Sequence, residues 1–138
     1  MSDMNTTTST TYPDLAATIL RVSTGGLFLA HGLTKLFVFT PAGTAGYFQS
    51  LGLPGALGYP TMAIEILGGL ALLAGFMTRW VSTLMVFVLL GAAWFGHVAN
   101  GFGFGNPGGG WEYPVFWAVV MAALALLGDG RWSVSKHR

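Results

Sequence analysis

Ala30-His31-Gly32-Leu33-Thr34-Lys35-Leu36 lies inside a long apolar run, Leu15 to Phe39. A helix sets His31 and Lys35, four residues apart, on one face. Ionisable groups in a membrane-length segment are costly and need partners. The other hydrophobic segments each hold a candidate: Glu65, His97 and Glu112.

The composition asks for a bilayer. Apolar residues make up 53% of the 138 and charged residues only 8%, against about 25% charged in an ordinary soluble domain. A soluble chain this small has too much surface to cover with so few charges. There are no cysteines. That excludes disulfides, a dithiol redox pair, thiolate iron–sulfur ligation and covalent c-type haem. Any electron-transfer role needs a bound organic cofactor, or a metal held by histidine and carboxylate. No basic patch suggests nucleic acid.

The apolar pattern predicts an all-α membrane four-helix bundle. Residues 1–14 read as a flexible polar tail, with a chance sequon at Asn5-Thr6-Thr7 and Asp14 as the helix cap. Residues 15–134 form the transmembrane domain and 135–138 a polar C-terminal tail. The spans run from Leu15 to Phe39, Leu57 to Phe76, Trp80 to Ala99, and about Trp111 to Gly128. Ala42 to Pro54 reads as a short interfacial segment, and Asp129 to Arg138 as polar tail. Arg21 is expected to snorkel to the interface. Loops 40–56 and 100–110 carry no Lys or Arg, whereas the other side holds Arg79 and the basic C-terminal residues. The positive-inside rule then puts both termini in the cytoplasm.

Depth follows from helical rise. His31 and Glu65 each fall about 12 Å from the outer end of their spans, Lys35 about 6 Å and His97 about 3 Å. The outer half thus collects His31, Lys35, Glu65, His97, Asn100, Glu112 and Tyr113. Glu65 is expected to pair with Lys35 or His31. That pairing is read either as a clasp fixing helix register or as a polar site with a proton relay through His31, Lys35 and Glu65. His31, Glu65, His97 and Glu112 have donor types suited to Zn, Mn or Fe. Their spacing matches no ligand motif, so no metal is assigned. Gly103 to Gly108 spells G-x-G-x-x-G, but it follows a hydrophobic helix and is not read as a nucleotide loop.

Several pieces, in order, resemble the DoxX family of small bacterial membrane proteins. They are Leu20-Arg21 with Gly25, Gly26 and Phe28; His31-Gly32 with Lys35-Leu36; and Leu51-Gly52-Leu53-Pro54. Glu65 with Gly68-Gly69, Gly75 with Thr78-Arg79, His97 with Asn100-Gly101, and Glu112-Tyr113 follow. The close, Gly128-Asp129-Gly130-Arg131-Trp132-Ser133, carries Asp129 where the family pattern has proline. The resemblance implies a multi-pass protein of the bacterial inner membrane, related to subunits of thiosulfate:quinone oxidoreductase. It adds a first functional expectation: a redox-associated subunit with a quinone site and an electron-donating partner. Phe28, Phe95 and Phe116 would line its apolar slot. A small-solute or proton carrier, and a non-catalytic assembly or membrane-integrity subunit, are the alternatives. The lipid bilayer is an expected partner, and the glycines of the second span offer a surface for self-association.

Overall fold

A computed structural model describes residues 9–135. Among these, all regular structure is helical. The elements are α1 (Tyr12–Phe37), α2 (Thr40–Ser50), α3 (Gly58–Ala74), α4 (Thr78–Ala92) and α5 (Glu112–Leu127). A 3-10 turn, Gly55–Leu57, leads into α3, and α4 continues through a π-helical turn, Ala93–His97, and a 3-10 turn, Val98–Asn100. The sequon at Asn5 and residues 136–138 lie outside the described residues.

The first helix starts earlier than expected. Thr11, not Asp14, is the N-cap: its side chain accepts from the Asp14 amide, and the Asp14 carboxylate accepts from the Thr11 amide, both at 3.3 Å. This reciprocal pair satisfies two amides that the first turn leaves open. At the other end the Val38 and Phe39 amides both bond to Thr34 O, at 2.9 and 3.0 Å. Thr40 then takes a positive φ of 69°, and α2 leaves at 100° to α1. The segment expected only to lie at the interface is therefore largely a helix of its own.

Glycine sets the packing. A Cβ on Gly25 would stand 2.9 Å from Gly69 O, and one on Gly69 would stand 2.7 Å from the Leu29 amide nitrogen. A Cβ on Gly32 would meet Ile66 Cγ1 at 2.6 Å. Without side chains at these places α1 and α3 close backbone to backbone, the mode of helix association that lipid favours. α4 packs on α5 as a second close pair. Phe28, Leu72, Met85, Leu89, Met121 and Leu124 join the two pairs in one buried core. Phe28 stacks on Trp117 with ring centroids 4.4 Å apart.

The spans Gly55–Ala74 and Thr78–Asn100, 20 and 23 residues, are long and apolar enough to cross a membrane. α1 reaches spanning hydropathy only together with α2 across the bend. Its Ser, Thr, Gly, His31 and Lys35 dilute the apolar run. α5 is apolar but has 16 residues. Outward-facing Leu67, Phe116 and Leu126 give the bundle an apolar surface of the kind a bilayer covers.

Arg21 does not snorkel. It is 1% exposed, and all five of its N–H donors meet backbone carbonyls. Nε bonds to Asp129 O at 3.0 Å, and the two terminal nitrogens bond to Leu72, Leu73, Arg131 and Trp132 O between 2.7 and 3.1 Å. Two of those carbonyls belong to the last turn of α3, where a cation also complements the helix dipole. The expected polar tail is instead docked structure as far as Ser135. The Val134 amide bonds to Ala74 O at 2.9 Å, the Arg131 amide to Thr18 Oγ1 at 2.8 Å, and Asp129 Oδ1 accepts from the first amide of α4 at 3.3 Å.

Candidate functional site

The opening stretch places the central ion pair. Bare Gly32 lets α3 approach so closely that a Cβ there would stand 3.2 Å from Glu65 Cβ. One turn further along α1, Lys35 reaches the carboxylate. Its Nζ lies 2.9 Å from Oε1 and 3.2 Å from Oε2. The ammonium thus faces both carboxylate oxygens, and Oε1, the nearer one, is buried. Glu65 is 7% exposed, while the Lys35 side chain keeps about a fifth of its surface open. Thr44 Oγ1 donates to Lys35 O at 3.3 Å and fastens α2 to the end of α1.

This pair lines a cavity of about 420 Å³ between α2, α3 and the far half of α4. That is a small-molecule volume. The walls are mostly apolar, with Tyr47, Phe48, Phe87 and Phe95 as aromatic surfaces. Lys35, Glu65 and His97 supply the ionisable groups in the lining. Of the three phenylalanines expected around the slot, Phe95 lines it. Phe28 is instead buried in the core, and Phe116 points outward.

A second polar group closes the same end of the bundle. His97 Nδ1 lies 2.8 Å from Gly109 O, and the Tyr113 hydroxyl 3.0 Å from Nε2. A carbonyl can only accept, so Nδ1 carries a proton, and in the neutral ring Nε2 accepts from Tyr113. Asn100 donates to the same carbonyl at 2.9 Å, and Glu112 Oε2 accepts from the Phe104 amide at 3.0 Å. Asn100, Glu112 and Tyr113 thus organise loop 101–110, and none of them lines the cavity. The π-helical turn widens α4 just where Phe95, Gly96 and His97 enter the lining, and such turns recur at functional sites.

The structure brings Lys35 to Glu65 and, separately, His97 to Tyr113 and Asn100. His31 joins neither. It is exposed on α1, outside the cavity lining, with its ring 5.2 Å from the Trp117 ring. Among the described residues no three His, Asp or Glu side chains converge as metal ligands. Sequence reasoning missed Tyr47 and Phe48 as cavity walls. Their signal was an aromatic pair with Leu51 at helical spacing, inside a segment otherwise small and polar.

Helices of spanning length, an apolar outer surface and a mostly apolar cavity with an ion pair in its wall define a small all-helical membrane protein. The chain belongs to the DoxX family, whose sequence pattern matches residues 16–98. That range includes Arg21, Lys35, Glu65 and His97. Similarity also extends to a protein of Bacillus subtilis (strain 168) named "Putative oxidoreductase CatD", 39% identical over 79 residues. The match covers 57% of this chain and 58% of that relative, so the chain spans little more than half of its length. No solved structure matches the chain.

Proposed function

We propose that the protein is a redox-associated, four-span subunit of the bacterial inner membrane that holds a quinone-type molecule beside Lys35 and Glu65. One observation carries this reading: a mostly apolar, aromatic-walled cavity of about 420 Å³ has a partly buried ion pair in its lining. A quinone ring suits such walls, and its oxygens need polar partners and a proton route when two electrons arrive. Lys35 and Glu65 would meet the head group, and His97, held by Tyr113 and Gly109, would form the far wall. The relative's name supports oxidoreductase chemistry. Electrons would come from a partner protein. Exposed His31 favours a protein neighbour on that face of α1, because an imidazole turned to lipid is costly. Proton or solute passage has less support, since apolar Phe28, Leu72, Met85 and Met121 fill the core and Arg21 has spent every donor on backbone carbonyls.

Protein purified in mild detergent is expected to carry quinone, read by mass spectrometry of its solvent extract. Ala92→Phe, which fills the cavity from α4, should reduce the bound amount at least tenfold. Quinone-free wild type, or equal retention by the variant, would sink the proposal.

In the same reading, residues 15–134 form the membrane domain and the Arg21 end faces the cytoplasm. Arg79 and Arg131 lie on that end, and the loops at the Glu65 end lack basic residues. A reporter fused after Arg138 should give a cytoplasmic signal; an exterior signal would reverse the orientation.

A further inference from the structure

The polar groups around the cavity differ in what they have left to offer. Glu65 is buried, and both of its oxygens face the Lys35 ammonium. His97 has both nitrogens engaged, Nδ1 with Gly109 O and Nε2 with the Tyr113 hydroxyl. Lys35 is less committed. Its ammonium has three donors for two carboxylate oxygens, and it lines the cavity with part of its side chain open. Tyr47 is freer still. It enters from α2, and its hydroxyl reaches across to the π-helical turn of α4, where bare Gly96 makes room. A Cβ on Gly96 would stand 3.3 Å from the Tyr47 oxygen, and both residues line the cavity. Among the described residues no group hydrogen-bonds to this hydroxyl. An O–H facing mostly apolar walls carries a desolvation cost that an acceptor removes.

We infer that the Tyr47 hydroxyl is the second polar contact of the ligand, and that the cavity takes a flat ring with an oxygen acceptor on each of two edges, one for Lys35 and one for Tyr47. The two donors stand on different sides of the space, Lys35 beside α3 and the Tyr47 hydroxyl beside α4. Between them α4 offers a low wall for the ring: Gly91 lines the cavity, and a Cβ there would meet nothing within 4 Å. This rests on the proposed quinone-type site and deepens it, since a ring with one acceptor or none gains nothing from Tyr47.

The test uses three related rings: menadione with two carbonyls, acetonaphthone with one and methylnaphthalene with none. The chain has no cysteine for menadione to alkylate. Equilibrium dialysis against the protein in mild detergent gives the dissociation constants, corrected for uptake by protein-free micelles. Tyr47→Phe is expected to bind menadione about fivefold less tightly, the scale of one neutral hydrogen bond, and to bind the other two rings as wild type does. Its thermal midpoint should match wild type, because the hydroxyl bonds to no protein group. If no ring compound binds wild type, the quinone-type site itself fails and the second contact with it. If wild type and Tyr47→Phe hold menadione equally, the site stands and the role of the hydroxyl is wrong. A uniform loss for all three rings would make Tyr47 a wall and not a donor. A loss shared by menadione and acetonaphthone alone would leave Tyr47 as a contact and overturn the need for acceptors on two edges.

Discussion

Replacing Arg21 by alanine is expected to destabilise the protein by about 3 kcal/mol or more, seen as a thermal midpoint lower by roughly 10 °C in mild detergent. The substitution strips hydrogen-bond donors from five carbonyls at once. It also unties α1 from the end of α3 and from residues 129–132. The sharper comparison is Arg21→Lys, which keeps the charge. An ammonium has three donors on one atom, whereas the guanidinium spreads five over a rigid fork. Lysine is therefore expected to recover less than half of the loss. A lysine variant as stable as wild type would show that charge, not the fork, holds this end together.

The second large effect is expected at the opposite end and is asymmetric. Lys35→Met leaves Glu65 buried without its countercharge, and breaking a buried pair in this way costs about 3–5 kcal/mol. Glu65→Gln is expected to cost about 1–2 kcal/mol, because the more open lysine can turn its ammonium to the membrane surface. The double variant Lys35→Met/Glu65→Leu should return close to wild-type stability, since apolar replacements of buried pairs are often neutral. Thermal unfolding of wild type and the three variants ranks these costs. If both single variants cost less than about 1 kcal/mol, the pair behaves as an exposed surface contact, and its role as a fixed wall of the cavity is lost.

How far the sequence carried differs from one residue to the next. Lys35 and Glu65 were legible in part: opposite charges in adjacent apolar segments have few other partners, but helical rise set Glu65 level with His31, one turn deeper than Lys35. The glycine seam was legible in part, since glycines at 25, 32 and 69 suggest close approach without saying which helices meet. His31 was misjudged for a reason of angle. Its four-residue spacing from Lys35 puts both on one broad face, but each residue turns a helix by 100°, and four residues overshoot a full turn by 40°. That rotation carries His31 toward Trp117 on α5 and leaves Lys35 toward α3. Arg21 was misread because its acceptors are main-chain atoms, and no side-chain type advertises an open carbonyl. The same holds for His97 and Asn100, which fasten the carbonyl of Gly109. The α2 wall of the cavity was not legible, because it depends on α2 bending away from α1 at Thr40, where nothing in a threonine announces a left-handed backbone.

The long reach of Arg21 has a consequence for how the molecule is made. Three of its five acceptors, on Asp129, Arg131 and Trp132, are separated from it by 108 to 111 residues. During synthesis the first helix is made with a cation whose final partners do not yet exist. The arrival of α3 supplies only Leu72 and Leu73. The bundle is therefore closed late, by a segment that follows the last hydrophobic helix out of the ribosome. A product halted before residue 129 would hold every apolar helix and still leave the Arg21 guanidinium without three of its five acceptors.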